Sequence, residues 1–266
     1  MNSTVPDGGR PLLRVEGLVK DFGGLRAIDH CSFSVQPGTI TGLIGPNGAG
    51  KTTAFNVITG FFKPNAGKVY LGDEDITALP PHEVFKRGMC RTFQIPREHP
   101  SMSVIENLML VAPNQIGEQF WNCWLRPAEV RRQEEENRAK AEEVLAFVEL
   151  THVTEEYAGK LSGGQKKLLE LARTLMTDPK IVLLDEPAAG VNRTLMKRIS
   201  ENIETLRSER GITFLLIEHD MNMVMNLCDP VIVMSEGRKL MEGRPQDVQN
   251  DPRVLEAYLG GQYATA

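Results

Sequence analysis

The chain has 266 residues, 41% hydrophobic and 24% charged, ordinary values for a globular protein and enough apolar material for a sizeable core in ~1–2 domains. Its net charge of −5 gives no general electrostatic attraction to nucleic acid or to an anionic membrane surface. No stretch approaches the ~20 apolar residues that span a bilayer, and residues 1–10 lack the apolar run of a secretory signal, so at a membrane the spanning part must come from a partner.

In chain order, residues 12–18 read as a strand of a half-buried sheet, and residues 31–35, which alternate with period two, as another. Pro37 and Gly38 mark a turn. Residues 41–44 form a strand that runs directly into a glycine-rich loop, and residues 52–59 read as the helix after it, ended by Gly60. A short strand at 68–71 precedes Gly72 and Asp73. From about 101 to 175 the pattern turns mostly helical and reads as an insertion into an α/β chain. Within it, Glu134 and Arg138, and Glu136 and Lys140, are spaced i,i+4 with the acid first, which favours a solvated helix face by a few tenths of a kcal/mol per pair. Phe120, Trp121, Trp124 and Leu125 are expected to pack within this helical region; the alternative is contact with another subunit. Apolar runs at 181–184 and 213–217 suit parallel strands buried on both faces, with residues 193–210 as the helix between them. A further run at 231–234 precedes a turn at Glu236 and Gly237. Cys31, Cys90, Cys123 and Cys228 show neither zinc-ligand spacing nor a CxxC pair, and read as reduced, partly buried thiols.

Three constellations carry chemistry. The first is Gly45-Pro46-Asn47-Gly48-Ala49-Gly50-Lys51-Thr52, which fits G-x-x-x-x-G-K-[ST] with a strand before it and a helix after it. Glycines let backbone N–H groups approach phosphates at a helix N-terminus. Lys51 is then placed for the β- and γ-phosphates and the Thr52 hydroxyl for Mg²⁺, with Thr53 following in the first helical turn. The second is Asp185-Glu186 at the end of a buried strand, where α/β proteins commonly present ligand-binding groups. Asp185 suits Mg²⁺, and Glu186 suits the water that attacks the γ-phosphorus. The third is Leu161-Ser162-Gly163-Gly164-Gln165. Ser162 and Gln165 are spaced as a capping box, yet two glycines in a first turn are poor helix formers. They make sense where a helix terminus lies open to an anion. Two phosphate-binding turns but one full nucleotide site point to a dimer, in which Ser162, Gly163 and Gly164 of one copy meet the γ-phosphate held by the other.

These motifs resemble those of the ATP-binding subunits of ABC transporters, over essentially the full chain. Residues 45–52 match the Walker A motif, 161–165 the family signature and 181–186 Walker B. The resemblance places Gln94 at the Q-loop, where it senses Mg²⁺ and the attacking water, and His219 at the switch position facing the γ-phosphate. Phe22, on an expected loop, falls where the family stacks an aromatic ring on adenine. Asn192 stands in the D-loop where Asp is common. The implied fold is α/β: a P-loop NTPase, RecA-like core with an antiparallel β subdomain and an inserted α-helical signature subdomain. It forms a single ATPase domain at 12–260, with tails at 1–11 and 261–266. The implied cofactors are ATP and Mg²⁺. The implied ATP contacts are Phe22, residues 45–53 and, from a second copy, Ser162, Gly163, Gly164 and Gln165, with Thr52, Gln94 and Asp185 at the metal and Lys51, Gln94, Glu186 and His219 in catalysis.

Several stretches are similar to subunits serving importers of branched-chain and other neutral amino acids: residues 60–64, 91–94, 186–192, 217–221 and 254–260. This implies a peripheral protein on the cytoplasmic face of the inner membrane, paired as a homo- or heterodimer. It acts on transmembrane permease subunits and indirectly with a solute-binding protein, and does not bind nucleic acid. Urea or amide importers share much of the pattern, and the ATPase of lipopolysaccharide export is a more distant relative. A DNA-repair or translation ATPase of the same superfamily lacks support, because no long coiled-coil or zinc-bearing insertion and no second ATPase domain is present in the sequence. A P-loop kinase or GTPase leaves residues 162–164 without a role.

Overall fold

The computed structural model of the protein describes residues 9–92 and 98–263; Gln94 lies outside them. The chain divides into two compact units. One comprises the chain up to Arg91, Lys180–Ala188 and the chain from Ile203 on; the other comprises Thr92–Pro179 and Ala189–Asn202.

The first unit opens with β1 (Leu13–Phe22), β2 (Leu25–Val35), β3 (Ile40–Ile44), α1 (Lys51–Ile58), β4 (Ala66–Leu71), β5 (Glu74–Asp75), α2 (Pro81–Lys86) and β6 (Met89–Arg91). The second holds α3 (Val104–Met109), α4 (Phe120–Leu125), α5 (Pro127–Phe147) and α6 (Gly163–Leu175). The first resumes with β7 (Ile181–Asp185), and α7 (Arg193–Arg210) is divided between the units at Ile203. Then follow β8 (Thr213–Ile217), α8 (Met221–Leu227), β9 (Val231–Ser235), β10 (Arg238–Gly243), α9 (Pro245–Asn250) and α10 (Pro252–Tyr263).

The first unit contains two sheets. One is antiparallel in the order β2-β1-β4-β5; the other has the order β10-β9-β3-β8-β7-β6, parallel except for its edge strand β10. Strands β3, β7 and β8 are buried at every residue, which is why β7 and β8 read as apolar runs rather than alternating ones. Val15, Ile28 and Phe33 of the antiparallel sheet, Phe55 and Ile58 of α1, and Leu43, Leu183, Leu215 and Ile232 of the parallel sheet belong to one buried cluster. Each such side chain contributes roughly 1.5–3 kcal/mol by leaving water, so α1 is anchored in the core shared by both sheets.

In the second unit α6 buries Leu168, Leu169, Leu171, Ala172 and Leu175, while α5 buries only Ala141, Val144 and Leu145 near its C-terminal end. The rest of α5 is the solvated face its charges implied, but the ion pairs differ from the expected i,i+4 set. Arg138 reaches Glu142 at 3.2 Å and Glu155 at 2.9 Å, and Lys140 reaches Asp178 at 2.5 Å. Glu142 is one turn further along α5, whereas Glu155 and Asp178 are tertiary partners within reach of long side chains. Helix α4 corrects a second expectation: Phe120, Trp121, Trp124 and Leu125 do not pack inside the helical unit but are 66%, 71%, 82% and 78% exposed. This unit is also wider than residues 101–175, because the first turns of α7 join it. Arg198 pairs with Glu149 at 2.9 Å, and a Cβ on Gly164 would lie 2.3 Å from Leu195.

Candidate active site

Strand β3 is the centre of the first unit's site. It pairs in parallel with β8, Leu43 opposite Ile217, and β8 pairs in parallel with β7, Ile217 opposite Asp185. Three adjacent parallel strands therefore end side by side. The glycine loop leaves the end of β3, Asp185 and Glu186 leave β7, and Glu218 and His219 leave β8. This carboxyl end of an open sheet is where α/β folds present ligand-binding groups.

The loop's shape demands its glycines. A Cβ on Gly45 would lie 2.1 Å from the Met234 carbonyl oxygen, and one on Gly50, at φ +97°, 2.5 Å from that of Ala27. Gly50 then starts α1 directly, its carbonyl accepting from Ala54 N–H at 2.8 Å. Asn47, Gly48 and Thr52 are exposed, Pro46 and Thr53 half-buried, and Ala49 buried. The Gly45 N–H donates to the Tyr258 hydroxyl of α10, a group that burial pushes above its ordinary value. Lys51 is buried, and its Nζ donates to the carbonyls of Gly45 at 2.6 Å and Pro46 at 3.0 Å. Burial lowers its pKa, while Glu186 and Asp185 act in the opposite sense and favour the cation. The ammonium is thus held by carbonyl dipoles of its own loop.

Glu186 adopts φ +51°, a left-handed conformation uncommon outside glycine and costing on the order of 1–3 kcal/mol. Its N–H donates to the Ile217 carbonyl at 2.9 Å, and its Oε1 shares a 2.9 Å hydrogen bond with His219 Nε2. The backbone twist turns the carboxylate toward β8 rather than along its own strand. Asp185, one residue earlier, goes elsewhere: its Oδ2 accepts from Arg91 Nη2 at 2.8 Å, with both side chains 6% exposed. Arg91 Nη1 also donates to Asn56 Oδ1 on α1 at 2.6 Å. Adjacent acids on one strand end therefore serve different neighbours, as their alternation requires.

Two residues of this site escaped the sequence reading. Arg91 ends β6, beside Leu183 of β7, and anchors Asp185. Glu218 is 4% exposed; its Oε1 accepts from Ala188 N–H at 2.7 Å and its Oε2 from His219 N–H at 3.0 Å. Burial raises its pKa against the opposing pull of those N–H groups. It binds the segment after Glu186 to the turn carrying His219. The usable signal was an acid closing a fully apolar strand, the same pattern that singled out Asp185. Phe22 is also placed differently from expectation. It is the last residue of β1 rather than a loop residue, because β1 continues through the pairing of Asp21 with Arg26. Its ring is 42% exposed and meets Phe62 edge-on at 5.3 Å.

The second unit carries the other glycine motif. Ser162 caps α6 reciprocally with Gln165: Gln165 N–H donates to Ser162 Oγ at 3.3 Å and Ser162 N–H to Gln165 Oε1 at 2.9 Å. The two glycines differ. Packing against Leu195 explains Gly164, but a Cβ on Gly163 would meet nothing within 4 Å. Asn192 opens α7, with Oδ1 accepting from Leu195 N–H at 2.9 Å; Asn caps as well as Asp, so that departure from the family pattern leaves the helix start intact.

Thr52 offers an exposed hydroxyl and Asp185 a carboxylate, hard oxygen donors of the kind Mg²⁺ takes in small numbers beside phosphate and water. The donor set therefore fits the ion.

Residues 28–189 match the family model described as ABC transporter, and residues 238–264 the one described as branched-chain amino acid ATP-binding cassette transporter. The probable branched-chain amino acid transport ATP-binding protein LivG of Archaeoglobus fulgidus is 42% identical over 255 residues, covering 94% of this chain and 96% of the relative. The high-affinity branched-chain amino acid transport ATP-binding protein BraF of Pseudomonas aeruginosa is 41% identical over 251 residues, covering 94% and 98%. Among solved structures, the ADP conformation of an ATP-binding cassette of an ABC transporter matches with a TM-score of 0.82 at 42% identity, over 95% of this chain and 100% of that one. A nucleotide-free ATP-binding cassette from an ABC transporter matches with 0.80 at 41%, over 93% and 98%. With a phosphate loop, a paired glutamate and histidine and a bare-backed helix start all present, the chain belongs to the ATP-binding cassette family of ABC transporters.

Proposed function

We propose that this ATPase energises an importer of branched-chain amino acids. It works as a dimer on the cytoplasmic face of the membrane, against separate membrane-spanning subunits. The observation that carries the ATPase chemistry is the 2.9 Å contact between Glu186 and His219, on strands adjoining the one that feeds the phosphate loop. The names of the relatives and the match at 238–264 support the substrate.

In this reading, the amides of residues 45–53 and the Lys51 ammonium hold the triphosphate, and Phe22 stacks on the base. Thr52 and Asp185, with Gln94, would hold Mg²⁺, which would supply positive charge against the phosphates. Arg91 holds the Asp185 carboxylate in place until then. Glu186 takes the proton of the attacking water. His219 fixes the Glu186 carboxylate and donates toward the γ-phosphate. Ser162, Gly163, Gly164 and Gln165 of a second copy close over that phosphate from the far side.

The test is reconstitution with the membrane subunits and ATP-driven uptake of labelled leucine, isoleucine and valine. The expected result is uptake that stops in Glu186→Gln while ATP binding persists, with turnover at least ~100-fold lower. Uptake of urea or short amides in place of these amino acids overturns the substrate; undiminished turnover in the variant overturns the role of Glu186.

A further inference from the structure

Helix α4 is amphipathic the wrong way round. At ~100° per residue, Phe120, Trp121, Trp124 and Leu125 fall within an arc of about 140°, and all four are 66–82% exposed. On its other side Asn122 is half-buried and Cys123 exposed, and both bond to the preceding turn. Asn122 Nδ2 donates to the Ile116 carbonyl at 3.0 Å and to Gln119 Oε1 at 3.1 Å, and Cys123 Sγ to the Gly117 carbonyl at 3.5 Å. Ordinary helices bury the apolar stripe and solvate the polar one. Here hydrogen bonds hold the polar side down, and the aromatic ridge stands in solvent, with Phe120 and Trp121 packed edge-on at 5.4 Å.

We propose that this ridge inserts into the headgroup region of an anionic lipid bilayer. The composition around it argues for lipid. Three exposed arginines, Arg126, Arg131 and Arg132, flank the ridge, with Glu118 before them, Glu129 between them and Glu134, Glu135 and Glu136 after. Arg126 and Arg132 are exposed, and their carboxylate partners lie at 3.5 and 3.6 Å, surface pairs that restrain them little. Tryptophan with flanking arginine is the composition of an interfacial anchor, and basic residues near the surface attract anionic headgroups. A convex ridge of large rings also needs no matching groove in a fluid interface. The proposal rests on the reading that the protein works at a membrane, and it adds that the ATPase itself touches lipid.

The chain's two tryptophans are both in this helix, so intrinsic tryptophan emission reports on α4 alone. The full chain is titrated with phosphatidylglycerol vesicles and, separately, phosphatidylcholine vesicles. The expected result is a blue shift and co-sedimentation with phosphatidylglycerol, weakened in about 0.5 M salt and reduced at least ~10-fold in Trp124→Ser, in which Trp121 remains as reporter. No shift with either vesicle overturns the proposal. So does equal binding by Trp124→Ser, or a shift that requires the membrane subunits, which assigns the ridge to a protein partner. ATP binding in solution is measured on every sample; it verifies folding and tests the ATPase reading independently, so the failure of one is distinguishable from the failure of the other.

Discussion

Glu218 accepts hydrogen bonds from the backbone of two segments, Ala188 N–H at 2.7 Å and His219 N–H at 3.0 Å, and Asp220 N–H stands at 3.5 Å from the same carboxylate. Burial nevertheless raises its pKa above the ordinary 4.5, with a smaller push from Glu186. The folded state therefore holds this proton more tightly than the unfolded chain. Between pH 4.5 and the folded value, the native protein binds more protons, so its stability falls as pH rises through that window. Glu218→Gln removes the titration. It also leaves one backbone N–H without its oxygen, a cost of ~1–3 kcal/mol that does not vary with pH. The melting temperature of the variant relative to the parent is expected to climb as pH increases from 4.5 toward neutrality; a difference constant across that range removes Glu218 as the titrating group. At this scale the motifs pointed to residues that the fold brings to the strand ends: Lys51 follows β3, Asp185 closes β7 with Glu186 next, and His219 follows β8. The sequence did not reveal the roles of Arg91 and Glu218, because these come from what β6 and β8 lie beside, although an acid closing the apolar run of β8 could have drawn attention to Glu218.

Among the elements, α6 offers the sharpest contrast. Its two leading glycines cannot both be explained by packing, since Gly164 faces Leu195 and Gly163 faces open space. In an ordinary helix start, alanine in place of Gly163 gains on the order of 0.5 kcal/mol from reduced backbone entropy in the unfolded chain. If Gly163 is bare so that its backbone can approach a phosphate, the same methyl group obstructs that approach. Gly163→Ala is therefore expected to melt slightly higher and hydrolyse ATP much more slowly, with ATP binding by the phosphate loop retained. A variant that gains stability and keeps full turnover refutes the phosphate role. The strands flanking the site were legible because burial on both faces forces unbroken apolar runs. Strand β6 was not, being only Met89–Arg91, too short for any period to register. Strand β10, Arg238–Gly243, is an edge with no fully buried residue, so its pattern resembles a loop. Helix α4 defeated the expectation of packing because large aromatics normally are buried, and nothing in the spacing alone reveals which side hydrogen bonds will hold down.

On the scale of the whole molecule, a chain with one phosphate loop and one bare helix start raises the question of whether both serve the same ATP within a single copy. A two-fold symmetric pair answers it differently, because each of its two sites takes the loop from one copy and the helix start from the other. Two disabled variants separate the alternatives. Lys51→Ala loses the loop but keeps Ser162, and Ser162→Arg keeps the loop but blocks the helix start with a bulky cation. Each alone is expected to be inactive in hydrolysis. Mixed in equal amounts, with this chain as the sole ATPase present, half of the pairs contain one of each. Within such a pair one site inherits both defects and the other inherits neither. Activity should therefore return on mixing to at most roughly one quarter of the parent, the share of sites left intact by random pairing of a symmetric dimer. If loop and helix start act within one copy, every site in the mixture carries a defect, and no activity returns at any ratio.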